Sequence, residues 1–223
     1  MHIAPRLFCS MPSRFVFFIL ALCFGVMWFS QVQAQTNLNN CGPLENHYGP
    51  FDYRTQRHLL VIVEKRHFTT IVETLISGST GAVGQDIDYT LHTSPNHHRA
   101  LIAVVRLGEK LKTPHPANMK YPVECYFDRA LRFAPDDTVV RVLYSQFLIK
   151  KDRKTEAIFQ LDSAVKYAND NPFSHFNIGL AFFDMQDYEK ALVQAHRVAE
   201  LGWDRPELVD LLKGVNKWQD PTN

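Results

Sequence analysis

The sequence predicts a mainly α-helical protein: a short α-α solenoid over residues 95–223, a mixed, irregular N-terminal segment over 35–94, and a leader over 1–34. Three observations carry this. Two segments late in the chain align at a period of 34 residues, placing Ser145 on Gly179, Ala157 on Ala191, Leu161 on Ala195 and Ala164 on Val198. Units with an Asp, an apolar residue three places on and a later break recur at Asp88–Pro95, Asp128–Pro135 and Asp162–Asn169. The composition, 46% hydrophobic and 21% charged over 223 residues, is that of an ordinary folded domain and excludes wholesale disorder. The 24 Lys and Arg against 23 Asp and Glu leave no basic excess, so no nucleic-acid partner is expected.

The elements follow in chain order. Arg6 and Arg14 make the start positive, Phe15 to Phe29 is uninterruptedly apolar, and Val32 and Ala34 stand at the small-residue positions of a signal-peptidase site. This is the layout of a secretory signal cleaved after Ala34. Gln35 in place of Cys argues against lipoprotein processing. The apolar run falls short of the ~20 residues that span a bilayer, so a membrane association is expected only if the leader is retained. Cleavage removes Cys9 and Cys23 and leaves Cys41 and Cys125, which an oxidising compartment would join in a disulfide.

Residues 35–53, rich in Asn, Gly and Pro, read as an irregular lead-in. Leu59 to Val63 is an apolar run that periodicity alone assigns to neither helix nor strand. Phe68, Ile71, Val72, Leu75 and Ile76 lie on one helical stripe, stopped by Gly78 and followed by the glycine-rich loop 77–84. Helices are then expected over Pro95–Lys112 and Val123–Phe133, joined by a stretch with three prolines, with a terminal capping helix over Glu207–Lys217.

The 34-residue units carry a family signature, W-x2-L-G-x2-Y followed by A-x3-F and P. The last unit has His175, Ile178, Gly179, Phe182, Ala191, Ala195 and Trp203 at those places, with Tyr188-Glu189-Lys190 entering the second helix. The unit before it has Arg141, Tyr144, Ser145, Leu148, Ala157, Leu161 and Asn169. The chain therefore resembles two divergent tetratricopeptide repeats, at about 138–171 and 172–205, with a weaker unit at about 95–137. The departures are Arg or His in place of the first Trp, and Asn169 or Trp203 in place of the Pro.

The resemblance implies a non-catalytic interaction scaffold, an adaptor or assembly factor of the cell envelope, whose concave wall binds a protein or peptide partner. By motif position that wall comprises Val139, Val142, Gln146, Ile149 and Lys150, then Phe173, Phe176, Leu180, Phe183 and Asp184. Three Phe on one wall call for a cover. Either an external segment supplies it or the chain's own residues 41–90 fold back; the second is favoured, because so few repeats make a thin core.

The remaining chemistry-bearing residues point elsewhere less firmly. His92, His97, His98 and His115 lack the i, i+4 spacing of a metal pair, and Asn96 reads as a helix N-cap. The loop 78–84 lacks the Lys-Ser/Thr ending of a phosphate loop and precedes Asp86 and Asp88. No GxSxG nucleophile elbow appears. No catalytic residue, metal or cofactor is assigned. The alternative is an envelope hydrolase, or a sugar-polymer or metal-binding protein, that uses residues 41–98.

Overall fold

The computed structural model describes residues 41–221; the expected leader and its expected cleavage site after Ala34 lie outside the described residues. Every regular element among them is helical: α1 (Arg57–His67), α2 (Thr70–Glu73), α3 (Val83–Thr93), α4 (His98–Leu111), α5 (Val123–Phe133), α6 (Thr138–Ile149), α7 (Lys154–Ala168), α8 (Pro172–Asp184), α9 (Tyr188–Glu200) and α10 (Glu207–Gly214). The expected mainly α fold is the one adopted. From α2 onward each helix packs on the next, as α4 on α5, α6 on α7 and α8 on α9, while α4 also lies beside α6 and α6 beside α8.

The 34-residue period is visible atom by atom. α6 and α8 start at Thr138 and Pro172, and α7 and α9 at Lys154 and Tyr188. Asp137 caps α6 by accepting from the amides of Val139 and Val140, and Asn171 caps α8 by accepting from Ser174. Within each pair the turn is closed in the same way. Asp152 and Gln186 take the left-handed conformation (φ 59° and 62°), and the next amide reaches back to Leu148 O at 3.0 Å or Phe182 O at 2.9 Å.

Small residues set the spacing between helices. Gly179 admits α10 and α9 so closely that a Cβ there would stand 2.4 Å from Leu208 Cδ2 and 3.0 Å from Gln194 Cβ. Ala157, Leu161, Ala164, Ile178, Phe182 and Ala191 around these crossings are all fully buried.

The two departures from the apolar pattern have a shared explanation. Arg141 donates to Pro135 O and, at 2.8 Å, to Gln160 Oε1. His175, one period later, bonds Asn169 O and Gln194 Oε1, both at 2.7 Å. In each unit a polar side chain thus ties the carbonyl of the preceding turn to a Gln on the second helix. The place that a large aromatic would fill by packing is held by hydrogen bonds.

Ahead of the repeating part the segment is mixed. Residues 41–56 carry no regular element, and α1, α2 and α3 follow; α3 packs on both α1 and α4, extending the stack by a further helical pair. The Cys41–Cys125 disulfide is present, with Cα atoms 5.1 Å apart across a separation of 84 residues, and ties the lead-in to α5. Arg129 on α5 adds bonds to Cys41 O and Pro43 O, and Arg132 to Gly42 O. Gly42 lies under the Tyr121 ring at φ 69°, where a Cβ would fall 1.8 Å from the phenol oxygen.

Three local expectations need correction. The stripe from Phe68 to Ile76 does not form one helix. An extended Thr69 and a left-handed Leu75 confine α2 to four residues, and Lys110 Nζ takes Leu75 O at 2.8 Å. Phe68, Val72 and Leu75 are buried this way, while Ile71 and Ile76 remain outside. Asn96 is not the N-cap of α4: His97 is, accepting from Ala100 N through Nδ1 at 3.1 Å. The Asn96 side chain instead accepts from Tyr53 N and donates to Asp52 and Asp137, joining lead-in, turn and α6. The terminal helix ends at Gly214, before Lys217, whose amide turns back to Leu212 O at 2.8 Å.

Candidate functional site: a groove on the first helices

A groove of about 470 Å³ runs across α4, α6 and α8. The side chains that line it come in pairs one helical turn apart: Leu101 with Val105 and Ile102 with Arg106 on α4, Leu143 with Phe147 and Gln146 with Lys150 on α6, Ala181 with Met185 at the end of α8. Ile149 and Asp184 complete the walls, and Phe127 of α5 contributes an apolar surface. Ser145 of α6 also lines the groove, and on α8 Gly179 draws the helix against α9 and α10.

Four of the ten residues expected on the concave wall line this groove: Gln146, Ile149, Lys150 and Asp184. The other six lie elsewhere. Val142 is buried, and Val139, Leu180 and Phe183 are half-buried, Phe183 against Tyr188 at 5.3 Å. Phe173 and Phe176 pack on Trp203, with ring centres 6.2 and 5.4 Å away. The expected cover is also corrected. No residue of 41–90 lines the groove; that segment stacks on α4, and the two Phe lie beside Trp203 with Phe173 still 52% exposed. The wall from α4 was missed, although Leu101, Ile102 and Val105 carry the apolar helical spacing that reveals it.

The groove has opposite charges on its two sides. Arg106 on α4 is exposed and makes no ion pair among the described residues. Burial pushes the Asp184 carboxyl on α8 above its ordinary value, and no cation of the described residues offsets it. Between them Lys150 bridges to Glu109 at 2.7 Å, an exposed pair across α6 and α4 worth little to stability. An apolar floor with polar groups at its margin suits an extended or helical polypeptide carrying apolar anchors.

The His- and acid-rich stretch assigned to the alternative reading is built differently. His97 is fully buried, with Nδ1 accepting from Ala100 N and Nε2 facing Glu64 Oε1 at 3.1 Å. Burial holds its pKa below the ordinary value despite Glu64, so both ring nitrogens are engaged in the neutral form. His98 donates to the Asp137 carboxylate, and His67 to Asp86 at 2.9 Å.

Asp86 also accepts from the amides of Ser79 and Thr80 and from the Thr80 hydroxyl, so the glycine-rich loop wraps a carboxylate of its own chain. Burial raises the Asp86 and Asp137 carboxyls, and these hydrogen bonds outweigh it, leaving both below their ordinary values. Among the described residues no three His, Cys, Asp or Glu side chains gather as a metal-holding group. The pairs act one to one, as links between segments.

Compared with known proteins, the chain matches no protein-family model, no curated protein and no solved structure.

Proposed function

We propose that the chain is an exported, non-catalytic scaffold of the cell envelope whose tetratricopeptide-like hairpins hold a protein or peptide segment in the groove of α4, α6 and α8. The observation that supports this reading is the groove itself: a continuous apolar floor presented by the first helices of successive pairs, with Arg106 and Asp184 unpaired on its two sides among the described residues. Such a floor gains by covering with apolar side chains, and the margin charges select among segments that carry them. Export rests on the leader, and the disulfide is compatible with an oxidising compartment.

Photo-crosslinking separates this reading from non-specific association. A crosslinker at Gln146, within the groove, should capture a defined envelope protein that a crosslinker at the outward-facing Phe159 does not. Ile102→Asp should abolish that capture while the helical content stays unchanged. Equal capture at both positions, or capture unaffected by Ile102→Asp, would overturn the assignment. Mass spectrometry of the mature chain tests export separately, with an N-terminus at Gln35 expected.

A further inference from the structure

We propose that the outer face of α1 is a docking surface for an anionic lipid bilayer, independent of the groove and of the leader. α1 spans Arg57–His67 and buries only Leu60 and Val63. Its opposite half, read at 100° per residue, carries Arg57, His58, Val61, Ile62, Lys65 and Arg66, all exposed. Val61 and Ile62 leave 48% and 53% of their surface in water. Isolated apolar residues of that exposure are ordinary; an apolar pair enclosed by cations on one helix face is not.

The cations on this face, Arg57, Lys65 and Arg66, form no ion pairs among the described residues, and Arg57 lies over the Tyr53 ring at 4.9 Å. Glu64, the one acid of α1, bonds His97 and faces Arg99, and of the outer cations Arg57 also acts on it without forming an ion pair. Glu73 is likewise taken by Arg99, and Asp52 by Arg54. Glu64 and Glu73 thus share Arg99, and none of these three acids is in an ion pair with a cation of the outer face. Ile71 and Ile76 in the segment that follows add further exposed aliphatic surface, 42% and 74%.

A bilayer interface satisfies both features at once. Phosphate headgroups meet the cations, and β-branched aliphatics enter the headgroup–acyl boundary roughly 5–10 Å deep. A nucleic acid would meet the cations and leave Val61 and Ile62 in water, because its affinity comes from phosphate contacts. The balanced charge of the whole chain makes long-range attraction weak, so contact would be reversible and sensitive to salt.

The test reads this face alone, so an inserted leader cannot mimic the result. Ile62→Trp sets an indole in the middle of it, read as the difference from the parent spectrum. On vesicles of brominated phosphatidylcholine with phosphatidylglycerol the added fluorescence should shift to the blue and be quenched; on brominated phosphatidylcholine alone it should not. Adding Lys65→Gln and Arg66→Gln should lower partitioning about 25-fold, taking roughly fivefold per cation. The proposal is overturned if the indole stays unquenched on anionic vesicles even when the chain sediments with them. Equal quenching on neutral vesicles, or a charge variant that partitions like its parent, overturns it as well.

Discussion

The hairpins from Thr138 to Trp203 and the segment from Cys41 to His98 are both helical stacks, and they are held together by different means. In the hairpins the links are near neighbours repeated at a fixed period. Small residues set the crossings, Asp137 and Asn171 cap, and Arg141 and His175 bridge to the turn before them. In the N-terminal segment the links join residues far apart in sequence. They are the Cys41–Cys125 disulfide, the Arg129 bonds to the lead-in, the Asn96 junction, and the pairs of Glu64 with His97 and Asp137 with His98. The first kind of region can be assembled pair by pair, whereas the second closes only once distant parts have arrived.

The largest way to break this contrast is to remove the disulfide. Cys41→Ser with Cys125→Ser should cost about 4–5 kcal/mol on the chain-entropy account of so long a loop. Hydrogen exchange should show the loss at residues 41–98, with α6 to α9 still protected; uniform loss would mean that the two regions unfold as one. Asn96→Ala comes next, at about 3 kcal/mol, because it strips the buried Asp137 and the Tyr53 amide of a shared partner. Chemical denaturation measures it, and a change below about 1 kcal/mol would show that water replaces the side chain.

Within the hairpins, Gln194→Ala should cost about 2 kcal/mol by leaving His175 Nδ1 buried without a partner. Gln160→Ala should cost less, since Gln160 is only half-buried and the Arg141 guanidinium keeps Pro135 O. The pair of midpoints tests whether the repeated polar bridge contributes equally in both units.

The smallest expected effect is acid sensitivity confined to the N-terminal segment. Burial raises the Asp52 carboxyl, but hydrogen bonds from Arg54 and Asn96 hold it at about 2, below the 3.8 of the free group. The stability it contributes is complete above pH 4 and is lost as pH falls toward 2, where the folded form also takes up the proton. Region-resolved exchange at pH 3 should loosen residues 52–54 and 96–98 before α8 and α9. Earlier loosening of α8 and α9 would contradict it.

How far each region could be read from the residues follows the same division. A period of 34 residues announces helical pairs because every copy repeats its contacts, so Ser145, Gly179, Ala157 and Ala191 were recognisable at their crossings, and α5 was placed at its observed bounds. Apolar spacing misled at Phe68–Ile76, where three buried side chains need one turn and a left-handed Leu75, not two turns of helix. Asn96 looked like a cap because caps are local, yet its partners stand more than forty residues away. The groove wall was half legible. Gln146, Ile149, Lys150 and Asp184, expected on a concave wall, line the groove, while Phe173 and Phe176 lie against Trp203 away from it.

By itself the sequence determined the helical class, the hairpin period and the pairing of Cys41 with Cys125, because these depend on local spacing and on simple counting. Tertiary structure alone decided that residues 41–90 lengthen the stack instead of filling the groove, that α4 supplies a groove wall, and that the buried histidines serve as links. Those outcomes depend on which distant polar groups meet once water is excluded, and such meetings leave no periodic trace along the chain.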